Sequence, residues 1–520
     1  MYIRVTSTPY SPRKSVKIVE GIREGFKVKQ VMIHHVGVAA HPDDIEKLQA
    51  VGRAWIAQEL LRREQVCLSD LIEEKRVIEG IHDVAGHVYD QIGYHELLSG
   101  KKDQEMLKNL VLMRLANPSS KYHTQQILDK HFDICHDLDA LYRLMDKLYP
   151  KIGHIKQKTF SRTLKLTAES IDILFFDCTT LYFESTQTDE VRQFGYSKDP
   201  RFNTTQVVLA LATNADGLPV GYELFEGNKA EVKTLLECLN SWKDLFKIGT
   251  VCFVADRAMM SESNLQALEE GGHQYVIAAK LRSMPSQLKT QILDEKNYTI
   301  QSFGEEIGWV GEFDYQSRRL VVSYKSGRAK RDLHQRNQIV EKINKRLGSA
   351  GKTEKLISNQ GVKKYTKTGD SQTVLDENKI AQDAEWDGLH GVISNIKTGQ
   401  GTDLLQRYGR LWKIEESFRL NKHTLSMRPI YHFKPERVKT HIALCYMAFS
   451  VLRHMEYMAK LTQKISPKML IDELMSVQAS YYFDSRTEKR YRLSGVFSQN
   501  ARKIYRAFDL IRRPNAQALN

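Results

Sequence analysis

The chain is expected to fold as an α/β protein around a mixed sheet with helices on both faces, and three observations carry that expectation. Ile171, Ile173, Leu174, Phe175 and Phe176, and the run TVCFVA from Thr250 to Ala255, leave no polar face, the mark of short strands buried on both sides. Gln206 to Thr213 and Pro219 to Phe225 flank the turn sequence Asn214-Ala215-Asp216-Gly217, as the arms of a hairpin do. Strands then alternate with helical stretches: Lys229 to Trp242, a helix capped by Ser261 and running to Glu270, and a strand from Gln274 to Ala279.

The flanking regions differ in character and divide the 520 residues into six parts. Residues 1–40 form a small basic β segment. In it Ser15 to Glu20 and Val28 to Ile33 are joined through Arg23-Glu24-Gly25, with Arg4, Arg13, Lys14, Lys17, Lys27 and Lys29 alongside. An ordinary hairpin and a phosphate-gripping arm both fit this pattern. Residues 41–165 read as helical, from Pro42 through Gln104 to Leu115, Tyr122 to His131 and Leu138 to Leu148, and such small helical units include readers of DNA. Residues 166–280 hold the strands described above. Residues 281–385 are a β-rich insertion, with Tyr298 to Phe303, Gly308 to Tyr315 and Arg318 to Tyr324 as antiparallel strands. A strongly basic helix, Arg328 to Leu347, follows and contains Lys330 and Arg331; a solvated face and a track for phosphates both explain it. Residues 386–461 return to the sheet with Gly388 to Ile396, then a helix around Tyr408 and a long core-facing helix from Pro435 to Leu461. Residues 462–520 form a mixed tail.

The formal net charge of +14 is compatible with a polyanionic partner, and ribosomal and membrane-surface proteins are basic as well. The six cysteines (67, 135, 178, 238, 252, 445) show no CxxC spacing, which argues against a zinc ribbon or a disulfide framework and suits a reducing cytoplasm. The amino terminus, MYIRVTSTPY, has no apolar signal core, and the longest apolar run, Ala443 to Leu452, is too short to cross a bilayer. A soluble cytoplasmic protein with no membrane partner is therefore expected. His82, His87 and His95 are five and eight residues apart, so they do not share a helical face as an i,i+4 zinc pair would.

Three acids stand out by position. Asp177 interrupts the first apolar run, Asp256 ends the second, and Glu415 lies in YGRLWKIEESFRLNKHTLSMRP, Tyr408 to Pro429, which reads as one helix to about Asn421. Tyr408, Glu415 and Lys422 are seven apart along one stripe, with Arg419 on the same side. Taken alone, this helix reads as a solvated face with i,i+4 ion pairs. Gathering buried carboxylates is costly, however, because like charges raise one another's pKa and each loses hydration. Mg²⁺ is the usual remedy, and two such ions about 3.5–4 Å apart support in-line displacement at phosphorus.

The blocks around these acids resemble bacterial insertion-sequence transposases of the DDE type, in the superfamily with a Tyr-x2-Arg-x3-Glu-x6-Lys motif around its third acid. Tyr408, Glu415 and Lys422 fall at the motif's spacing. FFDCTTLYFES around Asp177 and VADRAMMSESNL around Asp256 and Arg257 match the first two blocks. GYSKDPRFNTTQVVLAL, GLPVGYELFEGNKAE, WDGLHGVISN and the opening MYIRVTSTPYSPRKSVKIVE extend the likeness over most of the chain, above all from Ile171 to Met447. The resemblance implies a ribonuclease-H-like core in which Asp177, Asp256 and Glu415 bind two Mg²⁺ ions, with Mn²⁺ able to substitute. It implies cutting at transposon ends and joining of the freed 3′-hydroxyls to target DNA. Partners would be the terminal inverted repeats and target DNA, gripped by at least a homodimer in the bacterial nucleoid. Tyr408, Arg410, Arg419, Lys422, Arg257, Lys330 and Arg331 would contact DNA. Trp412 would either stack on an unpaired base or pack in the core. The chain departs from the motif at its arginine position, which is Leu411; Arg410 or Arg419 would substitute, or the contact is absent. A nuclease without strand transfer and a catalytically lapsed DNA-binding protein are the alternatives.

Overall fold

The computed structural model describes all residues except 8, 25–26, 64–69, 168–170, 196–203, 247–250, 304–305, 348–363, 369–372, 461–464, 486 and 520. Gly25 of the expected first turn, Cys67, Thr250 and most of the quoted GYSKDPRFN stretch thus lie outside the described residues. The chain forms two units. One comprises Met1–Lys158, Asn421–Met427 and His432–Asn520; the other comprises Thr159–Leu420 and Arg428–Tyr431.

The first unit opens with an antiparallel sheet of β1 (Tyr2–Ser7), β2 (Lys14–Glu24) and β3 (Lys27–Ala39), with β2 central. The helix α1 (Pro42–Arg63) packs on all three strands. The region expected to be helical throughout then yields a strand, β4 (Leu71–Ile78). Its sequence LIEEKRVI is charged through the middle because it is an edge strand with mostly exposed side chains. Helices α2 (Gly86–Ile92), α3 (Lys101–Ala116), α4 (Lys121–Phe132) and α5 (Leu138–Leu148) follow, the last three as expected. Ser120 and Asp137 cap α4 and α5, accepting from the His123 and Ala140 backbone N–H groups at 3.2 and 3.1 Å. Next comes α6 (Ile152–Leu166), whose residues from Thr159 onward belong to the second unit.

The second unit is built on β5 (Ile173–Tyr182), β6 (Gln206–Asn214), β7 (Pro219–Glu226), α7 (Glu231–Phe246), β8 (Cys252–Ala255), α8 (Glu262–Glu270) and β9 (Gln274–Ala278). The strand order is β7-β6-β5-β8-β9, with β5, β8 and β9 parallel and the β5-β6-β7 meander antiparallel. This is the ribonuclease-H-like sheet that the resemblance implied. After α9 (Ser286–Leu293) come β10 (Thr299–Phe303), β11 (Glu306–Tyr315), β12 (Arg318–Tyr324) and α10 (Ser326–Leu347). A two-stranded ribbon of β13 (Thr366–Thr368) and β14 (Thr373–Leu375) and the helix α11 (Glu377–Ala384) precede β15 (Leu389–Ser394). Because β15 pairs with both β9 and β12, the inserted strands prolong the core sheet to nine strands instead of forming a sheet of their own. The helices α12 (Gly401–Gly409) and α13 (Trp412–Arg419) close this unit's main segment.

The remainder of the first unit holds α14 (Pro435–Lys460), α15 (Pro467–Ser476), β16 (Gln478–Asp484), β17 (Arg490–Ser494), α16 (Gln499–Ala507) and β18 (Ala516–Leu519). Val438, Ile442, Leu444, Met447, Val451 and Met455 of α14 are buried, as their spacing predicts, and the helix packs on α3 and α5. The mixed tail is an antiparallel sheet in the order β18-β17-β16-β4, so β4 finds its partner some four hundred residues later. A buried ion pair fastens it, with Arg492 Nε donating to Glu79 Oε1 at 2.8 Å. No described helix is long and apolar enough to cross a membrane, and no disulfide joins the described cysteines.

Candidate active site

Backbone register places the first two acids. In the parallel ladder Phe176 lies opposite Ala255, so Asp177 and Asp256 take the next place on adjacent strands, which run about 4.8 Å apart. Leu174, Phe176, Cys178, Phe253 and Ala255 join residues of α7 and α8 in a buried cluster on one face of the sheet. Strand alternation therefore turns both aspartates to the opposite face. Both are half-buried. Asp256 ends its strand, as expected. Asp177 does not: β5 continues to Tyr182 along β6, and only the ladder with β8 stops there. Asp177 Oδ1 accepts from the Cys178 N–H at 2.7 Å.

That opposite face is covered by α12, which packs on β8, β9, β12 and β15, and by α13, which packs on β5 and β6. Leu404, Leu411, Ile414 and Phe418 make their buried side. The expectation of one continuous helix fails at residues 409–411. There the Arg410 N–H bonds to Arg407 O at 3.2 Å and the Leu411 N–H to Tyr408 O at 2.9 Å, i to i−3 contacts that tighten the rod to about three residues per turn. The helix ends again at a π-helical turn, Leu420–Thr424, which contains Lys422. Tyr408 and Glu415 are thus not on one regular helical stripe.

The half-buried Tyr408 donates its hydroxyl to Asp256 Oδ1 at 3.3 Å. Burial raises its pKa, and the charge of Asp256, this hydrogen bond and the charge of Glu415 raise it further. The ring of His390, on β15, lies 4.9 Å from that of Tyr408. Burial pushes His390 down to about 4, helped by Arg328 and Arg257 and opposed by Asp256. His390 and Arg328 were not singled out from the sequence. The basic run around Arg328 was visible there, but the side of α10 that faces the acids was not.

Glu415 is exposed in the first turn of α13. Among the described residues no three His, Cys, Asp or Glu side chains close into a metal cage, although the charge of Glu415 is felt at Tyr408. Leu411, at the motif's arginine position, is 5% exposed and faces the sheet, while Arg410 and Arg419 are exposed. Trp412 is 54% exposed, which overturns the core-packing expectation: the neighbouring Leu411 and Ile414 supply the apolar contact instead. Arg257 is exposed in the 3₁₀ turn after Asp256, and Lys330 and Arg331 are exposed on α10. His82 bonds to Asn109 at 3.0 Å and His87 to Gln91 at 2.7 Å, structural roles in keeping with their spacing.

The family model described as a transposase DDE domain matches residues 168–451. Among solved structures, a cryo-EM piggyBac transposase synaptic complex with hairpin DNA is similar at a TM-score of 0.39 and 9% identity, over 76% of this chain and 77% of that one. No curated protein matches the chain.

Proposed function

The chain belongs to the transposase DDE-domain family, and we propose that it binds the ends of its own mobile element, cuts them by metal-dependent hydrolysis and joins the 3′-hydroxyl ends to target DNA. The observation that carries this reading is the register of Phe176 against Ala255, which sets Asp177 and Asp256 side by side on the face that bears Tyr408 and α13.

The donor set fits a divalent cation. Two half-buried carboxylates on adjacent strands repel each other, and hard oxygen ligands suit Mg²⁺ or Mn²⁺. Asp177 and Asp256 would hold it, with Glu415 reaching in from the exposed first turn of α13. Bound there, the cation supplies activation of the attacking oxygen and charge relief at the phosphate. The rest falls to the chain's own groups. Tyr408 orients Asp256 through its hydroxyl, and the His390 ring packs against Tyr408. Arg257, Arg410, Arg419 and Lys422 would hold DNA phosphates, and the exposed face of Trp412 is suited to stacking on a base. Recognition of the ends would fall to residues 1–165, with two copies pairing two ends.

The test uses DNA carrying the gene's own flanking sequences, incubated with the protein and Mg²⁺ or Mn²⁺, with 3′ ends mapped. Metal-dependent cuts at the edges of inverted repeats are expected. They should fall about 10⁴-fold or more in Asp177→Asn, Asp256→Asn or Glu415→Gln, with end binding retained. Binding without cutting by the unaltered chain would favour the lapsed reading.

A further inference from the structure

We propose that a cleft beside Asp256 is a phosphate subsite for a nucleic-acid backbone, anchored by Arg257 and Arg328, and that α10 meets DNA through this inward side instead of through Lys330 and Arg331. The inference rests on the transposase reading and deepens it. The cleft measures about 900 Å³ and runs from Asp256, Arg257 and Tyr408 to α10 and to the turn after β9. Arg328, Asp332, Arg336 and Ile339 line it from α10, at spacings of four, eight and eleven that share one helical face. Lys330 and Arg331 are exposed and do not line it.

Among the described residues its wall carries six cationic side chains against three carboxylates. Most of the cations are already engaged. Arg336 makes a two-pronged contact with Asp387 at 2.5 and 2.6 Å. Arg282 and Lys364 both reach Asp383, at 3.0 and 2.5 Å. Lys280 Nζ donates to Met260 O at 2.9 Å. Arg257 and Arg328 have no carboxylate partner among the described residues. Their fields meet at His390, which stands against Tyr408, so both guanidiniums bear on the end of the cleft that Asp256 occupies.

Planar guanidiniums match phosphate oxygens in pairs, and a polyanion between them and the acid pair would neutralise this excess of positive charge. The phosphate they hold would be a neighbour of the one being cut, since the cut phosphate must lie over the aspartates themselves.

The test measures the affinity of the full-length protein for a terminal-repeat duplex across a salt series, for the unaltered chain, Arg257→Gln, Arg328→Gln, Arg328→Lys and the double variant Lys330→Gln/Arg331→Gln. Arg257→Gln and Arg328→Gln should each weaken binding about tenfold and lower the slope of log affinity against log salt by about one. Arg328→Lys should keep the slope, because the charge remains, and the Lys330/Arg331 double variant should leave it unchanged. An unaltered slope in Arg328→Gln with a reduced one in the double variant would overturn the inference while leaving the transposase reading intact. Failure of the unaltered chain to prefer the terminal repeat over random duplex would overturn the reading, and the inference with it.

Discussion

The chain gathers like charge in two places and resolves it in opposite ways. On β5 and β8 two carboxylates share a level of the sheet, yet they stay half-exposed, accept hydrogen bonds from the Cys178 N–H and the Tyr408 hydroxyl, and can take up a cation. In the helical part of the first unit, the buried Arg114, Lys121 and His441 and the half-buried His432 bring basic side chains together where little water reaches. Burial, then Arg114, pushes Lys121 down to about 7. Burial, then Lys121 and Arg114, pushes His432 down to about 3. His441 is driven well below its ordinary range, and its buried Nδ1 has no hydrogen-bond partner among the described residues. Exposure makes the difference. A cluster open to solvent can recruit a counter-ion, whereas a closed one relieves itself by shedding protons.

The largest expected effect comes from the closed cluster. The folded pKa of Lys121 lies below its ordinary 10.5, so the stability of the neutral form is lost as pH falls from 10.5 toward 7. Lys121→Met should therefore raise stability at pH 7 by on the order of 4 kcal/mol in urea denaturation, with the gain vanishing above pH 10.5. A loss at pH 7 would mean that the ammonium has a compensating partner and would break the contrast. Next in size, Leu411→Arg sets burial against charge sign. If burial governs, restoring the motif arginine at this 5%-exposed position should cost about 3 kcal/mol of stability despite the acids nearby. A stabilised or more active variant would show that charge sign governs. The smallest effect concerns acid. Because the folded pKa of His432 is depressed, its contribution is full above pH 6.5 and is lost as pH falls toward 3. His432→Gln should reduce the loss of stability between pH 6.5 and 5.5 by about 1 kcal/mol, and an acid limb identical to that of the unaltered chain would show that His432 does not shape it.

The sequence disclosed what local pattern and burial determine. The apolar runs before Asp177 and Asp256 could be read because strands buried on both sides tolerate few polar residues, and the six apolar positions of α14 could be read because the helical period repeats them. The strand β4 could not, since LIEEKRVI is charged along an exposed edge and its partner lies near the other end of the chain. The same limit applied within the site. Register is a long-range property, so the pairing of Phe176 with Ala255 was absent from either run by itself. Seven-residue spacing suggested one stripe through Tyr408 and Glu415, but the tight turn at residues 409–411 changes the helical phase and sends the Tyr408 hydroxyl to Asp256. The side of α10 that bears Arg328 depends on where β12 and β15 place that helix.

Whether the register-matched aspartates form a cation site is tested, without DNA or turnover, by Mn²⁺ titration followed by electron paramagnetic resonance. The unaltered chain should bind Mn²⁺, Asp177→Asn and Asp256→Asn should each lose that binding, and Glu415→Gln should weaken it less, because Glu415 stands outside the strand pair. Equal Mn²⁺ binding by the unaltered chain and Asp256→Asn would contradict the account.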